Sequence, residues 1–240
     1  ATTEDARVFV LVHGAWHGGW CWRGVADRLR TAGHQVFTPT MTGLGERAHL
    51  LRDDTGLDTC IDDVCAVIEA EELQDVALVG HSFGGIVISG VAERLPSSLR
   101  QLIYLDALVV QNGASAMSVL PPEVQRERSR TIDAEGLRMA IPAPEKFGIN
   151  DTHQAAWLRR RLTPHPLKAY TDVLTLRRPP GNGLRKTYLA VTDPWYEPLA
   201  AVRAWVREQS DWEYRELAAG HDAMLTSPQA LADLLRELAR

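Results

Sequence analysis

One serine, one histidine and two aspartates have the types and order to do nucleophilic chemistry together. Ser82 stands in Gly80-His81-Ser82-Phe83-Gly84, a Gly-x-Ser-x-Gly pattern. The apolar run Val76-Ala77-Leu78-Val79 precedes it, and the helical pattern of residues 86–95, closed by Pro96, follows. Strand, tight turn and helix are the setting that makes such a pattern a nucleophile elbow. The hydroxyl then projects from the carboxyl edge of a sheet at a helix N-terminus, where developing negative charge is favoured. A serine hydroxyl is a weak nucleophile until a base removes its proton. His221 is the candidate base, because it lies in a loop after the last predicted strand. Asp193, after the penultimate predicted strand, is the preferred acid; Asp106, after the strand that follows the elbow, is its rival. The acid accepts a hydrogen bond from the imidazole, fixes its tautomer and stabilises the imidazolium.

A tetrahedral intermediate also needs two backbone N–H groups aimed at its oxygen. Phe83, next after the nucleophile, and Ala15, in the turn His13-Gly14-Ala15, are the expected donors. His13, His17 and His81 are expected to shape loops or line the pocket. No His-Glu-x-x-His pattern or cysteine–histidine cluster suggests a metal, so neither a metal site nor a cofactor is expected. One competing signal exists. Gly43-Leu44-Gly45-Glu46-Arg47-Ala48 matches a dinucleotide fingerprint, with Asp62 and Asp63 near the expected acidic position. Residues 48–56 do not open a regular amphipathic helix, so a turn is expected there instead.

The elements that must position these groups alternate regularly. Strand patterns fall at residues 7–12, 34–38, 76–79, 99–105, 186–191 and 212–217, with helical spacing between them. That rhythm specifies an α/β fold with a mostly parallel sheet and helices on both faces. Residues 107–185 break it, with Pro121-Pro122, Pro142, Pro144, Pro164, Pro166 and Pro179-Pro180 around short helical pieces. They are expected to form a helical cap inserted over the carboxyl edge of the sheet. The expected organisation is a core of residues 1–107 and 186–240 with a cap of residues 108–185, one domain overall. The cap concentrates Arg126, Arg128, Arg130, Arg159, Arg160, Arg161, Arg177 and Arg178, which are expected to be solvated helix faces. Trp16, Phe83, Leu108, Trp157 and Trp195 are the expected pocket walls.

Composition narrows the function classes. The chain has 240 residues, 45% hydrophobic and 24% charged, with a net charge of −5. An acidic balance argues against a nucleic-acid partner. No apolar run reaches the ~18–20 residues of a membrane helix. Ala1-Thr2-Thr3-Glu4-Asp5 has neither a basic start nor an apolar segment, and a cytoplasmic location is expected. Three cysteines, Cys21, Cys60 and Cys65, cannot form a disulfide framework.

Taken together, His13 to Trp22, Gly80 to Gly85, Thr192-Asp193 and Gly220-His221-Asp222 resemble the corresponding segments of the α/β-hydrolase family. The resembling subgroup holds plant methyl esterases of the salicylate-binding type, hydroxynitrile lyases and bacterial carboxylesterases. The resemblance implies an α/β-hydrolase fold with a six-stranded core, a helical cap and no cofactor. It implies a triad of Ser82, Asp193 and His221 with oxyanion donors Ala15 and Phe83. The lyases of this group carry a lysine beside the catalytic histidine, where this chain has Asp222, so the lyase alternative loses ground. The expected function is hydrolysis of small to medium apolar carboxylic esters, with a small-molecule substrate as partner. A ligand sensor on the same scaffold, a lactone- or thioester-acting relative, a nucleotide-dependent oxidoreductase and a homodimer remain open at this point.

Overall fold

In the computed structural model, the apolar runs become the strands of one six-stranded sheet. The structure describes residues 4–240; the first three residues of the stretch read above for a targeting signal lie outside them. The core elements are β1 (Val8–Val12), α1 (Arg23–Thr31), β2 (Gln35–Phe37), α2 (Leu57–Ala70), β3 (Val76–His81), α3 (Gly84–Arg94) and β4 (Leu99–Leu105). Three short helices follow: α4 (Pro122–Ser129), α5 (Thr152–Arg161) and α6 (Leu167–Thr171). The sheet resumes with β5 (Arg185–Val191), α7 (Ala200–Arg207) and β6 (Glu213–Leu217), and the chain closes with α8 (Ala223–Thr226) and α9 (Pro228–Leu238).

The spatial order is β2-β1-β3-β4-β5-β6, and every neighbouring pair is parallel. All six residues of β3 are buried, as a strand covered on both faces requires. Alternation sorts the side chains. Phe9, Leu11, Ala77, Val79, Ile103 and Leu105 face α1 and α9, while Val10, Val12, Leu78, Leu102 and Tyr104 join the cluster that holds α2 and α3. Leu231, Leu235 and Leu238 of α9 are buried against the first face; each contributes about 1.5–3 kcal/mol.

The register decides where the chemistry can sit. Val12 pairs with Gly80, His81 with Leu105, and Leu105 with Leu189. The chain therefore leaves β1, β3, β4 and β5 at one edge, and the strand order reverses between β1 and β3. The carboxyl edge beside such a switch point is where open α/β sheets bind ligands. Residues 45–50, in the competing glycine signal, form one 3-10 helix with Leu44 buried beneath it. Asp63 accepts hydrogen bonds there from the Thr42 N–H and hydroxyl.

Between β4 and β5 the chain leaves the sheet. The three short helices of this stretch stand beside a two-residue antiparallel ladder that pairs Arg138 with Pro166 and Met139 with His165. No residue of α4 is buried, whereas α5 buries Ala155 and Leu158.

Candidate active site

Three residues at the sheet edge hold left-handed backbone without being glycine: Trp16 at φ 65°, Ser82 at φ 53° and Asp106 at φ 40°. Each follows a different strand, and each costs about 1–3 kcal/mol that the surrounding structure must impose. At the elbow the imposition is visible. A Cβ on Gly80 would stand 2.5 Å from the Gly84 carbonyl oxygen, and one on Gly84 would stand 2.7 Å from that of Val12. The Ser82 N–H donates to the Leu105 carbonyl at 3.2 Å, and the Ser82 carbonyl accepts from Gly85 and Leu108 at 3.0 Å each. The turn is thus clamped from both sides, and only glycine at those two positions lets it close so tightly.

The Ser82 hydroxyl lies 3.1 Å from His221 Nε2. His221 Nδ1 lies 2.6 Å from Asp106 Oδ2, and the other Asp106 oxygen accepts from the Val191 N–H at 3.4 Å. A carboxylate accepts and does not donate, so the contact with Asp106 assigns the Nδ1 proton to His221 and leaves Nε2 as the acceptor for the serine. The Tyr196 ring stacks on the imidazole at 3.8 Å, with 15° between the planes.

Asp193 is not the partner of His221, and the sequence-based preference is corrected here. Its side chain is exposed, and its N–H donates to the Ala219 carbonyl at 3.0 Å, which ties down the loop carrying His221. Strand order explains the difference. β4 is the direct neighbour of the elbow strand, and the Asp106 N–H donates to Leu189 across it at 2.8 Å. With its positive φ this turns the carboxylate inward beneath the imidazole. β5 lies one strand further out. One signal could have found this: Asp106 runs into the apolar Ala107-Leu108-Val109-Val110, whereas Asp193 runs into Pro194 and Trp195.

The turn after β1 touches the elbow, since a Cβ on Gly14 would stand 3.0 Å from Ser82 Cβ. The Trp16 N–H donates to His165 Nδ1 at 3.3 Å. Neither the Ala15 nor the Phe83 N–H has an acceptor among the described residues. Behind this turn is a buried ion pair that sequence reasoning missed. His17 Nε2 lies 2.7 Å from Asp222 Oδ2, and its Nδ1 lies 2.7 Å from the Ala15 carbonyl. Both ring nitrogens face acceptors, which requires an imidazolium. Burial opposes that charge, but the Asp222 carboxylate outweighs it and raises the His17 pKa. Burial likewise opposes the Asp222 charge, and His17 reverses the balance and lowers its pKa. The residue beside His221 is thereby bonded through one imidazolium to the backbone of Ala15.

His13, His81 and His165 are held neutral by burial. Burial pulls His13 down to about 4; its Nδ1–H donates to Gly14, and Nε2 accepts from the Met41 N–H. Burial and the neighbouring His221 pull His81 down to about 3, and its Nε2 donates to the His221 carbonyl at 2.8 Å. His81, His221 and Asp222 carry potential ligand atoms within 4.8 Å of one another. His221 Nε2 and Nδ1, Asp222 Oδ2 and His81 Nε2 are bonded to Ser82, Asp106, His17 and the His221 carbonyl, while His81 Nδ1 and Asp222 Oδ1 have no hydrogen-bond partner among the described residues.

A cavity of about 510 Å³ opens beside His221, with Trp16, Arg128, Phe147, Trp195 and Tyr196 in its walls. Of the expected pocket residues, Trp16 and Trp195 are there. Leu108 is buried at the elbow, and Phe83 packs between His165 and Tyr170. Trp157 packs instead against Trp20, with the Arg161 guanidinium 4.1 Å from its ring. Trp157 stands on α5, and the irregular chain on either side of that helix, which has no period to read, sets which neighbour it meets. Among the described residues, no helix is long and apolar enough to cross a membrane.

A family model described as the alpha/beta hydrolase family matches residues 9–234. A carbendazim hydrolyzing esterase from a Nocardioides species is 42% identical, over 96% of this chain and 98% of its own length. Methylesterase 10 of Arabidopsis thaliana is 28% identical, over 98% of this chain and 93% of its own. In three dimensions the chain is similar to an extracellular alpha/beta-hydrolase from a Paenibacillus species. The TM-score is 0.85 at 24% identity, covering 96% and 98% of the two chains. Tomato methylketone synthase I, complexed with 2-tridecanone, aligns with a TM-score of 0.78 at 18% identity, covering 98% of each chain. These last two likenesses carry the fold.

Proposed function

The chain belongs to the α/β-hydrolase family and is an ester hydrolase, and from that premise we propose that Ser82, His221 and Asp106 are its catalytic triad. The supporting observation is the continuous hydrogen-bonded line from Ser82 Oγ through His221 to Asp106. His221 Nε2 takes the serine proton as Oγ attacks the ester carbonyl. The N–H groups of Ala15 and Phe83, unoccupied by other acceptors, stabilise the oxyanion; losing one such donor typically costs about 10²–10³ in rate. The imidazolium then hands its proton to the leaving alcohol, and the bond from carbonyl to alkoxy oxygen breaks. Water, deprotonated by His221, releases the acyl group and regenerates Ser82. Asp106 keeps the ring oriented and faces the charge that develops on it.

Residues 108–185 act as a cap that shapes the cavity, whose aromatic walls suit small to medium apolar esters. No step in this scheme calls on a metal or cofactor. A cytoplasmic setting is carried over from composition for cell fractionation to check, and light scattering decides between monomer and homodimer. Hydrolysis of short p-nitrophenyl esters tests the chemistry. Ser82→Ala is expected to lower kcat by at least about 10⁴-fold, and retention of turnover in that variant would defeat the mechanism.

A further inference from the structure

Among the cap arginines expected on solvated helix faces, Arg128 points elsewhere. Arg128, on α4, lies in the wall of the catalytic cavity. Its guanidinium carbon stands 5.1 Å from the centroid of the Trp16 ring and 5.4 Å from that of Tyr170. Its Nη2 donates to the Tyr196 hydroxyl at 3.0 Å, and Tyr196 is the ring stacked on His221. A full positive charge is therefore held one aromatic ring away from the proposed base.

Its partners do not use it up. A guanidinium carries five N–H donors in a planar fork, and the Tyr196 bond accounts for one of them. No carboxylate lies within ion-pair distance of it among the described residues. Glutamates do line the same cavity. Glu127 pairs with Lys146 at 3.4 Å and Glu145 with Arg159 at 3.2 Å, while Glu123 and Glu197 stand at the exposed rim. Exposed charges at the rim are screened by salt. A guanidinium flanked by aromatic rings is partly desolvated, and its fork matches the geometry of a planar oxygen acceptor.

We propose that Arg128 is a recognition site for a second oxygen function of the substrate. The preferred ester then carries, beyond its scissile carbonyl, a further carbonyl or carboxylate that meets the free edge of this guanidinium. The site rests on the esterase reading above, because it selects among esters for the same nucleophile. Arg128 is a specificity residue here, and the proton transfers do not involve it.

The test compares three methyl esters of similar length: methyl heptanoate, methyl 6-oxoheptanoate and monomethyl adipate. Turnover of methyl heptanoate by the unmodified enzyme checks the esterase reading alone, so the two readings fail separately. The unmodified enzyme should show higher kcat/KM on the two esters with a second oxygen function. Arg128→Met should cut that preference by at least about tenfold, and Tyr196→Phe, which keeps the guanidinium, should retain it. The larger change of the two esters identifies whether carbonyl or carboxylate is the better fit. A purely structural role would depress all three esters alike and leave the ratios unmoved; that result, or the absence of any preference in the unmodified enzyme, overturns the site. If Arg128→Met does not fold, competitive inhibition of the unmodified enzyme replaces it. There 2,7-octanedione should bind at least about tenfold tighter than 2-octanone, and equal binding overturns the site.

Discussion

Below the cavity, charge is buried and bonded; above it, charge is exposed and loosely held. Asp106, Asp222 and His17 are almost wholly out of water and joined in short bonds to one another, to His221 or to backbone. On the opposite wall the ion pairs Glu127–Lys146 and Glu145–Arg159 leave each side chain more than half exposed. Exposed pairs of that kind contribute about 0–1 kcal/mol, whereas breaking a buried one costs about 3–5 kcal/mol. The reacting groups are therefore held rigidly from the sheet side, while the wall that meets the rest of the substrate can change at small energetic cost. Selectivity can vary on this fold without disturbing the chemistry.

The sharpest way to break that contrast is at the two aspartates. Asp106→Asn should lower kcat by about 10⁴-fold, and Asp193→Asn, at an exposed side chain, by less than about threefold; esterase assays of both variants decide it. The reverse order would move the acid to Asp193. Next comes the ion pair behind the oxyanion turn. Asp222→Asn leaves a buried imidazolium without its counter-charge and should cost about 3–5 kcal/mol in urea unfolding. A loss below about 1 kcal/mol would mean that His17 is neutral.

Acid should find the same side of the molecule. His13 is held down to about 4 and His81 to about 3, and burial keeps His165 well below its ordinary range. Unfolded histidines take up protons near pH 6.5, and these native ones do not. The unfolded state therefore binds more protons below that pH, and stability falls on acidification by ~1.4 kcal/mol per pH unit for each histidine. His17 works at the other end, since its raised pKa gives stability that is lost as pH rises through it. Tm measured from pH 7 to pH 4.5 should drop steeply, and a flat profile would contradict the neutral histidines. The smallest effect expected is on the exposed side: Trp157→Ala, away from the cavity, should change kcat/KM by less than about threefold.

Sequence and structure agree wherever a period or a glycine constraint does the placing. The central strands came from apolar runs and the polar edge strand β6 from its place in the alternation, and the meeting of Ser82 with His221 came from the order of loops after those strands. The choice between Asp106 and Asp193 lay beyond such reasoning, because it turns on which strand is the neighbour of β3 and on one positive φ. Arg128 was hidden for a different reason. α4 buries none of its residues, so its hydrophobic pattern is silent about which side chain reaches the cavity. His17 and Asp222 are 205 positions apart, and nothing local to either announces the other.

The left-handed backbone at Trp16, Ser82 and Asp106 bears on how the molecule would respond to selection for heat tolerance. Glycine adopts that conformation without steric cost, so Ser82→Gly relieves a strain that the native side chain imposes, whereas Asp106→Gly would also strip buried His221 Nδ1 of its partner. A screen that scored survival on heating and ignored turnover would favour Ser82→Gly and discard the proposed nucleophile. Robustness and turnover are in direct competition at Ser82, and a stabilised form of this enzyme has to be sought among residues that follow none of these strand ends.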